Sequence, residues 1–261
     1  MDILHILNGD STLQSFLKTG IEGDTFVWRE VLSEGPLEEN IRSASFWQQH
    51  LAWICDTFNE SQQGYREKVL DPLAKLSDNF SEINLWFEFD LHCQVNLLGV
   101  LNYFNQKVDF SMPAIYLICP AEFPGLTNFA GMGELQADQL AFLYDNIRVQ
   151  LSEVDFVIAA EVWQLYVKGD ITKLKDYLNN TSFWANLQLL KPAMEAHVAR
   201  VLKNENGLTL IEQKLLNLYR TGTVSRVDLY KHFWKTEKIY GMGDREIDLY
   251  LESLKNKGLI K

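Results

Sequence analysis

Cysteine is scarce in this chain of 261 residues: Cys55, Cys93 and Cys119 stand far apart with no Cys-x-x-Cys pair. That excludes a disulfide framework and a cysteine-built zinc cluster, and leaves each cysteine as a small buried hydrophobe. Long apolar runs are missing as well, since no window approaches the roughly 18 uninterrupted apolar residues that span a bilayer. The first residues, MDILHILNGD, lack a basic region and a small-residue cleavage site, so a cytoplasmic protein is expected. No Gly-x-Gly-x-x-Gly fingerprint, Walker A loop or His-x-x-x-His pair occurs. Ordinary dinucleotide oxidoreduction, P-loop phosphoryl transfer and a dedicated metal site fall away, and no cofactor is expected.

Positive charge is the other shortage, with 24 Lys+Arg against 35 Asp+Glu and a net charge of −11. The deficit is uneven: residues 1–200 hold 13 basic and 27 acidic side chains, residues 201–261 hold 11 and 8. An acidic body repels nucleic acid, which leaves residues 205–261 as the only segment suited to such a contact. The remaining composition, 47% hydrophobic and 23% charged, is that of a soluble globular protein. Oligomeric state is not readable from it.

Periodicity gives the architecture. Ile3 to Leu7 is a short apolar run, followed by the turn Asn8-Gly9-Asp10-Ser11-Thr12 and a helical pattern at Leu13, Phe16 and Leu17. Thr25 to Trp28 forms a second β-rich run, and Arg29 to Leu37 a loop broken by Gly35-Pro36. A helical insertion occupies about 43–78. Ile83 to Phe89 reads as a third strand, Leu91 to Phe104 as a helix with one apolar face, and Ala114 to Ile118 as a fourth strand. Strands alternating with helices predict an α/β, Rossmann-like domain over 1–125, its mostly parallel sheet covered on both faces.

Beyond Pro124-Gly125 no further strand is expected. Helices are predicted at roughly 134–150, 152–168, 171–179, 183–203, 209–221, 226–235 and 244–257. They divide into a helical region, 126–204, and a C-terminal module, 205–261. In that module a capping box at Thr209 and Glu212 opens the first helix, and Thr223-Val224-Ser225 opens the second. The helix order resembles a helix-turn-helix or winged-helix unit, although Glu246, Asp248 and Glu252 on the last helix argue against its lying along phosphates. Gly131-Met132-Gly133-Glu134 and Gly241-Met242-Gly243-Asp244 echo each other, and each is expected to open a helix.

Ligands of open parallel sheets bind beyond the carboxyl ends of the strands. The residues there are Asn8, Gly9, Asp10, Ser11 and Thr12 after the first strand, Arg29 and Glu30 after the second, and Asp90 and His92 after the third. A glycine turn feeding a helix either holds an anion on free N–H groups or is capped by Asp10 or Ser11. Arg29 either clamps an anion or pairs with Asp10, Glu30 or Glu34. The Gly9-Asp10-Ser11 tripeptide resembles the nucleophile block of the Gly-Asp-Ser-Leu hydrolases, which would make Ser11 the nucleophile and Asp10 and His92 the groups to activate it or a water. Their Gly-x-Asn-Asp block and C-terminal Asp-x-x-His pair are absent.

Leu4 to Ser11, Trp28 to Pro36, the strand end from Leu85 to Asp90 with Gln94, and both Gly-Met-Gly-acid turns together resemble the bacterial domain-of-unknown-function 1835 family. The resemblance implies that His5, Gly9, Asp10, Ser11, Trp28, Arg29, Glu30, Gly35, Pro36 and Asp90 are motif positions, and it supplies no reaction. The resulting expectation is a small anionic or nucleotide-like ligand in a crevice at the strand ends, with hydrolysis as an extension. The alternative is a non-enzymatic adaptor or transcription-associated protein acting through 205–261.

Overall fold

The computed structural model describes residues 2–76, 79–107, 112–222 and 225–261. Its sheet comprises β1 (Ile3–Leu7), β2 (Asp24–Val27), β3 (Glu82–Trp86), β4 (Ala114–Ile118) and β5 (Val149–Gln150), in the order β2-β1-β3-β4-β5. The first four strands are mutually parallel, with Leu7 level with both Val27 and Trp86, and Trp86 level with Ile118. The short β5 runs antiparallel along β4 and pairs Val149 with Leu117.

Because side chains alternate along a strand, Leu4, Ile6, Ile83, Leu85, Ile115 and Leu117 enter one core. Leu7, Val27, Trp86 and Ile118 enter the other. Burial on both faces is what a parallel sheet demands, and it explains why these strands read as nearly continuous apolar runs.

The helices follow in chain order. α1 (Asp10–Phe16) joins β1 to β2. An arm of α2 (Ala44–Phe58), α3 (Gln62–Tyr65), a π turn (Arg66–Leu70) and α4 (Asp71–Ala74) leads towards β3. Ser43 caps α2 by accepting the Phe46 N–H, and Asn59 ends that helix in the left-handed region. α5 (Leu91–Asn105) connects β3 to the segment before β4. A 3-10 turn (Met132–Glu134) and α6 (Ala137–Asn146) precede β5. The chain continues as α7 (Glu153–Lys168), α8 (Ile171–Asn180), α9 (Leu190–Val201), α10 (Leu210–Arg220), α11 (Arg226–Thr236), a 3-10 turn (Lys238–Tyr240) and α12 (Asp244–Asn256). No helix among the described residues is long and apolar enough to cross a membrane.

The structure departs from the sequence expectation in several places. A fifth strand exists beyond residue 125; at two residues it is too short to show a period of two. The sheet layer therefore takes in β5, together with α6, whose Leu140 and Leu143 cover the second core. The predicted third strand stops at Trp86, because Asp90 already caps α5 by accepting the Cys93 N–H. Residues 183–189 are not helical, and α9 begins at Leu190. Gly131 leads into a 3-10 turn, with α6 starting only after Gln136.

The most consequential difference concerns α5. It is buried nearly all round, with Cys93, Gln94, Asn96 and Asn102 as covered as its leucines. Its apolar residues share a core cluster with the sheet strands, and α7 and α9 pack against it as well. The largest core cluster thereby runs from Leu4 in β1 through Trp163 in α7 to Leu254 in α12.

In the C-terminal module the expected capping box is present: Thr209 accepts the Glu212 N–H while Glu212 accepts the Thr209 N–H. Thr223 and Val224 lie outside the described residues, as do Ser77 and Asp78 at the end of the helical insertion; Ser225 caps α11. A wing would require a β-hairpin after α12, and the described residues there contain no strand.

Gly99, in the middle of α5, faces the buried side chain of Leu32, and a Cβ there would also come within 3.1 Å of Ile41. Both neighbours are fully buried and have nowhere to move. Gly99→Ala is expected to destabilise the fold by about 1–3 kcal/mol despite its gain in helix propensity, measured by urea unfolding; a stabilised variant would refute this packing.

Candidate functional site

The first turn sits at the carboxyl end of β1. Gly9 caps α1 with extended backbone and makes no side-chain cap, so neither Asp10 nor Ser11 serves as the helix cap. Asp10 instead receives a two-pronged grip from Arg29, Nε to Oδ2 at 2.9 Å and Nη2 to Oδ1 at 2.7 Å. This hydrogen-bonded guanidinium holds the Asp10 carboxyl below the usual carboxylate range. Arg29 Nη1 also donates to the Lys68 carbonyl at 3.3 Å, which links the first turn to the π turn of the arm. Thr12 is buried and donates to Asn8 Oδ1 at 2.9 Å; Ser11 is exposed.

The loop after β2 turns inward. Glu30 is 3% exposed, with one carboxylate oxygen taking the Tyr65 hydroxyl and the other 2.8 Å from His50 Nε2. The second ring nitrogen of His50 faces the Pro36 carbonyl. Asn96 of α5 donates to the Glu30 carbonyl and accepts the Leu32 N–H, matching a peptide-like pair to a buried backbone. Further along, Arg200 of α9 meets Glu34 and the Ser33 carbonyl, both at 2.5 Å, and Tyr166 of α7 donates to the same carbonyl.

His92 belongs to this inner network. Its Nδ1 lies 3.2 Å from Ser33 Oγ and 3.6 Å from Glu246 of α12, and its Nε2 lies 3.1 Å from Asn96. Burial alone would lower the imidazole, but the Glu246 carboxylate overrides it and holds His92 up at about 9. A nucleophilic relay needs the hydroxyl and the carboxylate on opposite ring nitrogens. Here both sit at Nδ1, so Ser33, His92 and Glu246 form a charged clamp between loop and helix. No hydrogen bond among the described residues joins Ser11 to His92 or Asp10.

After β3 come two buried carboxylates, Glu88 and Asp90, and each is closed over by one of the echoing glycine turns. Gly131 lies against Glu88, whose Oε1 accepts the Met132 N–H at 2.5 Å, and Gly241 lies against Asp90. Both glycines have positive φ, 150° and 62°, and a Cβ at either would collide with the carboxylate. The repeat in the sequence thus corresponds to one structural task performed twice.

Glu88, Asp90 and Cys93 bring one potential donor atom each within 4.8 Å of one another. They form a hydrogen-bonded knot: Cys93 Sγ contacts Glu88, and burial pushes the thiol well up, so it keeps its proton. Burial, reinforced by Asp90, pushes Glu88 up to about 7.

Two of the cavities among the described residues at this end of the sheet border the site. The first, about 280 Å³, lies between the loop after β2, the helical arm and the first turn of α12. Val31, Ile54, Phe58, Tyr65 and Val69 line its apolar side, and Arg29, Lys68 and Arg245 supply cationic groups beside Glu60, Asp244 and Glu246. The second, about 250 Å³, lies over β1 and β3 and is lined by Asn8, Ser11, Glu88 and residues of the 130–134 turn. Neither protein-family models nor curated proteins give a match to this chain.

The residues expected at one crevice are therefore divided. Arg29 faces the first cavity with Asp10 bound to it; Asn8 and Ser11 face the second. Glu30, Asp90 and Thr12 are buried supports, and Gly9 is a helix cap. Lys68, Glu88 and Arg245 were not identified from sequence; for Glu88 and Arg245 the signal lay in the paired glycine turns.

A carboxyl whose folded value is raised to about 7 stabilises the fold only while protonated. This contribution is full below about pH 4.5 and lost as pH rises through 7. Wild type is expected to lose up to about 3 kcal/mol relative to Glu88→Gln between pH 5 and pH 8. Chemical unfolding at several pH values tests this, and parallel profiles for the two proteins would contradict it.

Proposed function

We propose that this protein binds a small organic anion, of nucleotide-like or phosphorylated kind, in the crevice between the loop after β2, the helical arm and α12. The observation that carries the reading is the convergence of Arg29, Lys68 and Arg245 on one apolar-walled cavity of about 280 Å³. Such a pocket pairs charge recognition at its edge with burial of an apolar body. The acids nearby are already engaged. Glu246 is bound to the Gly243 N–H and His92, and Asp244 Oδ1 takes the Arg245 N–H. The Lys68 to Glu60 contact is long, at 3.4 Å, with the lysine 59% exposed. An exposed pair of that kind is worth under about 1 kcal/mol and gives way easily to a ligand anion. With no base bonded to Ser11, binding rather than hydrolysis is the activity this geometry supports.

Calorimetric titration with inorganic phosphate, phenyl phosphate and adenosine monophosphate tests the site. The two aromatic-bearing anions are expected to bind more tightly than phosphate, and Lys68→Ala and Arg245→Ala each to weaken them by about tenfold or more without loss of fold. Equal responses of both variants and wild type, or no binding by any of the three anions, would remove the proposal.

A second reading, an adaptor or transcription-associated role with a winged-helix-like end, draws support from α11. That helix exposes Arg226, Lys231, His232, Trp234 and Lys235, a basic stripe with an aromatic ring 41% exposed. Its test is duplex-DNA binding by the full chain between 50 and 200 mM salt, roughly the range over which phosphate contacts lose most of their strength. Affinity falling steeply with salt and dropping further in Lys231→Glu is the expected result; flat, weak binding would exclude it.

A further inference from the structure

The sheet order puts the reversal of winding between β1 and β3: the chain leaves β1 towards β2 on one side, then crosses to β3 on the other. In open parallel sheets the crevice at that point, beyond the carboxyl ends of the strands, is where ligands lodge. The second cavity occupies this position and shares no lining residue with the anion crevice.

We propose that this cavity is a separate binding site for an uncharged ligand rich in hydroxyl groups, a polyol or the sugar of a nucleoside, held by the Glu88 carboxyl. The chemistry of the lining selects that class. Asn8 offers an amide, Ser11 a hydroxyl, and Glu88 and Glu134 carboxyl groups; no lining side chain is cationic. Two carboxyl groups without a balancing cation repel a phosphate and accept hydrogen bonds from hydroxyls, the role acidic side chains play towards ribose in doubly wound folds.

Glu88 has capacity left for this. It is 8% exposed; its Oε1 takes the Met132 N–H, its Oε2 has the Cys93 thiol at a distant 4.0 Å, and the Asn8 side chain also hydrogen-bonds to it, which leaves room for a ligand hydroxyl. A carboxylate accommodates about four donors. The turn opposite is cut to keep the space open: a Cβ at Gly133 would stand 2.6 Å from Ser11 Oγ, and one at Gly131 would strike Glu88. A bare cation suits the place poorly, because the Met132 N–H and the Cys93 thiol present hydrogens, not lone pairs, to the same carboxyl group. Burial and Asp90 hold Glu88 near neutral range, with His92 and the Met132 and Asn8 hydrogen bonds opposing them, so at pH 7 it both donates to and accepts from hydroxyls.

Thermal-shift and calorimetric titrations with ribose, adenosine and myo-inositol, with magnesium chloride and inorganic phosphate as separate arms, test the site. Wild type, Glu88→Gln, Gly133→Ala and Lys68→Ala are compared, with circular dichroism reporting the fold of each. At least one hydroxylated probe is expected to raise the wild-type melting temperature. Its binding should weaken by about tenfold or more in both Glu88→Gln and folded Gly133→Ala, and stay unchanged in Lys68→Ala. The Lys68→Ala arm separates this site from the anion crevice. A response to magnesium or phosphate alone, no response to any hydroxylated probe, or equal binding by wild type and both cavity variants would overturn the proposal.

Discussion

The structure depends on burying a loop. Residues Glu30 to Glu34 connect a strand to the helical arm, and such connections ordinarily run over the surface, where water satisfies their backbone. Here Glu30, Leu32 and Ser33 are buried, so each polar group needs a protein partner. The partners come from far along the chain: Tyr65 and His50 from the arm, Asn96 from α5, Tyr166 from α7, Arg200 from α9 and Glu246 from α12. Satisfying one loop fastens the helical half of the molecule to the sheet.

The strongest of these fastenings is ionic. Arg200 is 5% exposed and meets Glu34 at 2.5 Å. Burial pushes Glu34 up and Arg200 pulls it back, while against the cost of its own burial Arg200 is held above its ordinary value by Tyr166, Glu34 and Tyr250. His197, with its ring tilted against Tyr166 and beside the same guanidinium, is driven down to about 3 by burial and by that positive charge. A pair like this adds little net stability against an apolar alternative, but losing one member strands the other charge inside. Its structural effect is positional: it fixes where α9 lies, and with the His92 to Glu246 contact it fixes where α12 begins.

The position of α12 matters because its first turn walls the first cavity, and Gly241 before it closes over Asp90. The 130–134 turn does the equivalent over Glu88 and bounds the second cavity. Two short turns of the same composition, more than a hundred residues apart, thus finish the two sides of one sheet end. The bond between Asp10 and Arg29 stands between them, joining the turn after β1 to the loop after β2.

Much of this architecture is written locally. Apolar runs bounded by turn residues marked β1 to β4, and 3.6-residue spacing, with helix starts such as Thr209 and Ser225, marked the principal helices, because those signals act over a few residues. The strand ends likewise exposed Asn8, Asp10, Arg29 and Asp90 as the polar residues to watch. Strand order, the all-round burial of α5 and the partners of each polar side chain depend on contacts between distant segments, which periodicity does not encode. Arg29 was equally able to pair with Glu30 or Glu34; packing turned both inward, to Tyr65 and Arg200, and left Asp10. The sequence by itself determined an α/β sheet with polar residues at its carboxyl edge, and only the tertiary structure decided which of them share a cavity, because burial and charge pairing are settled where the chain meets itself.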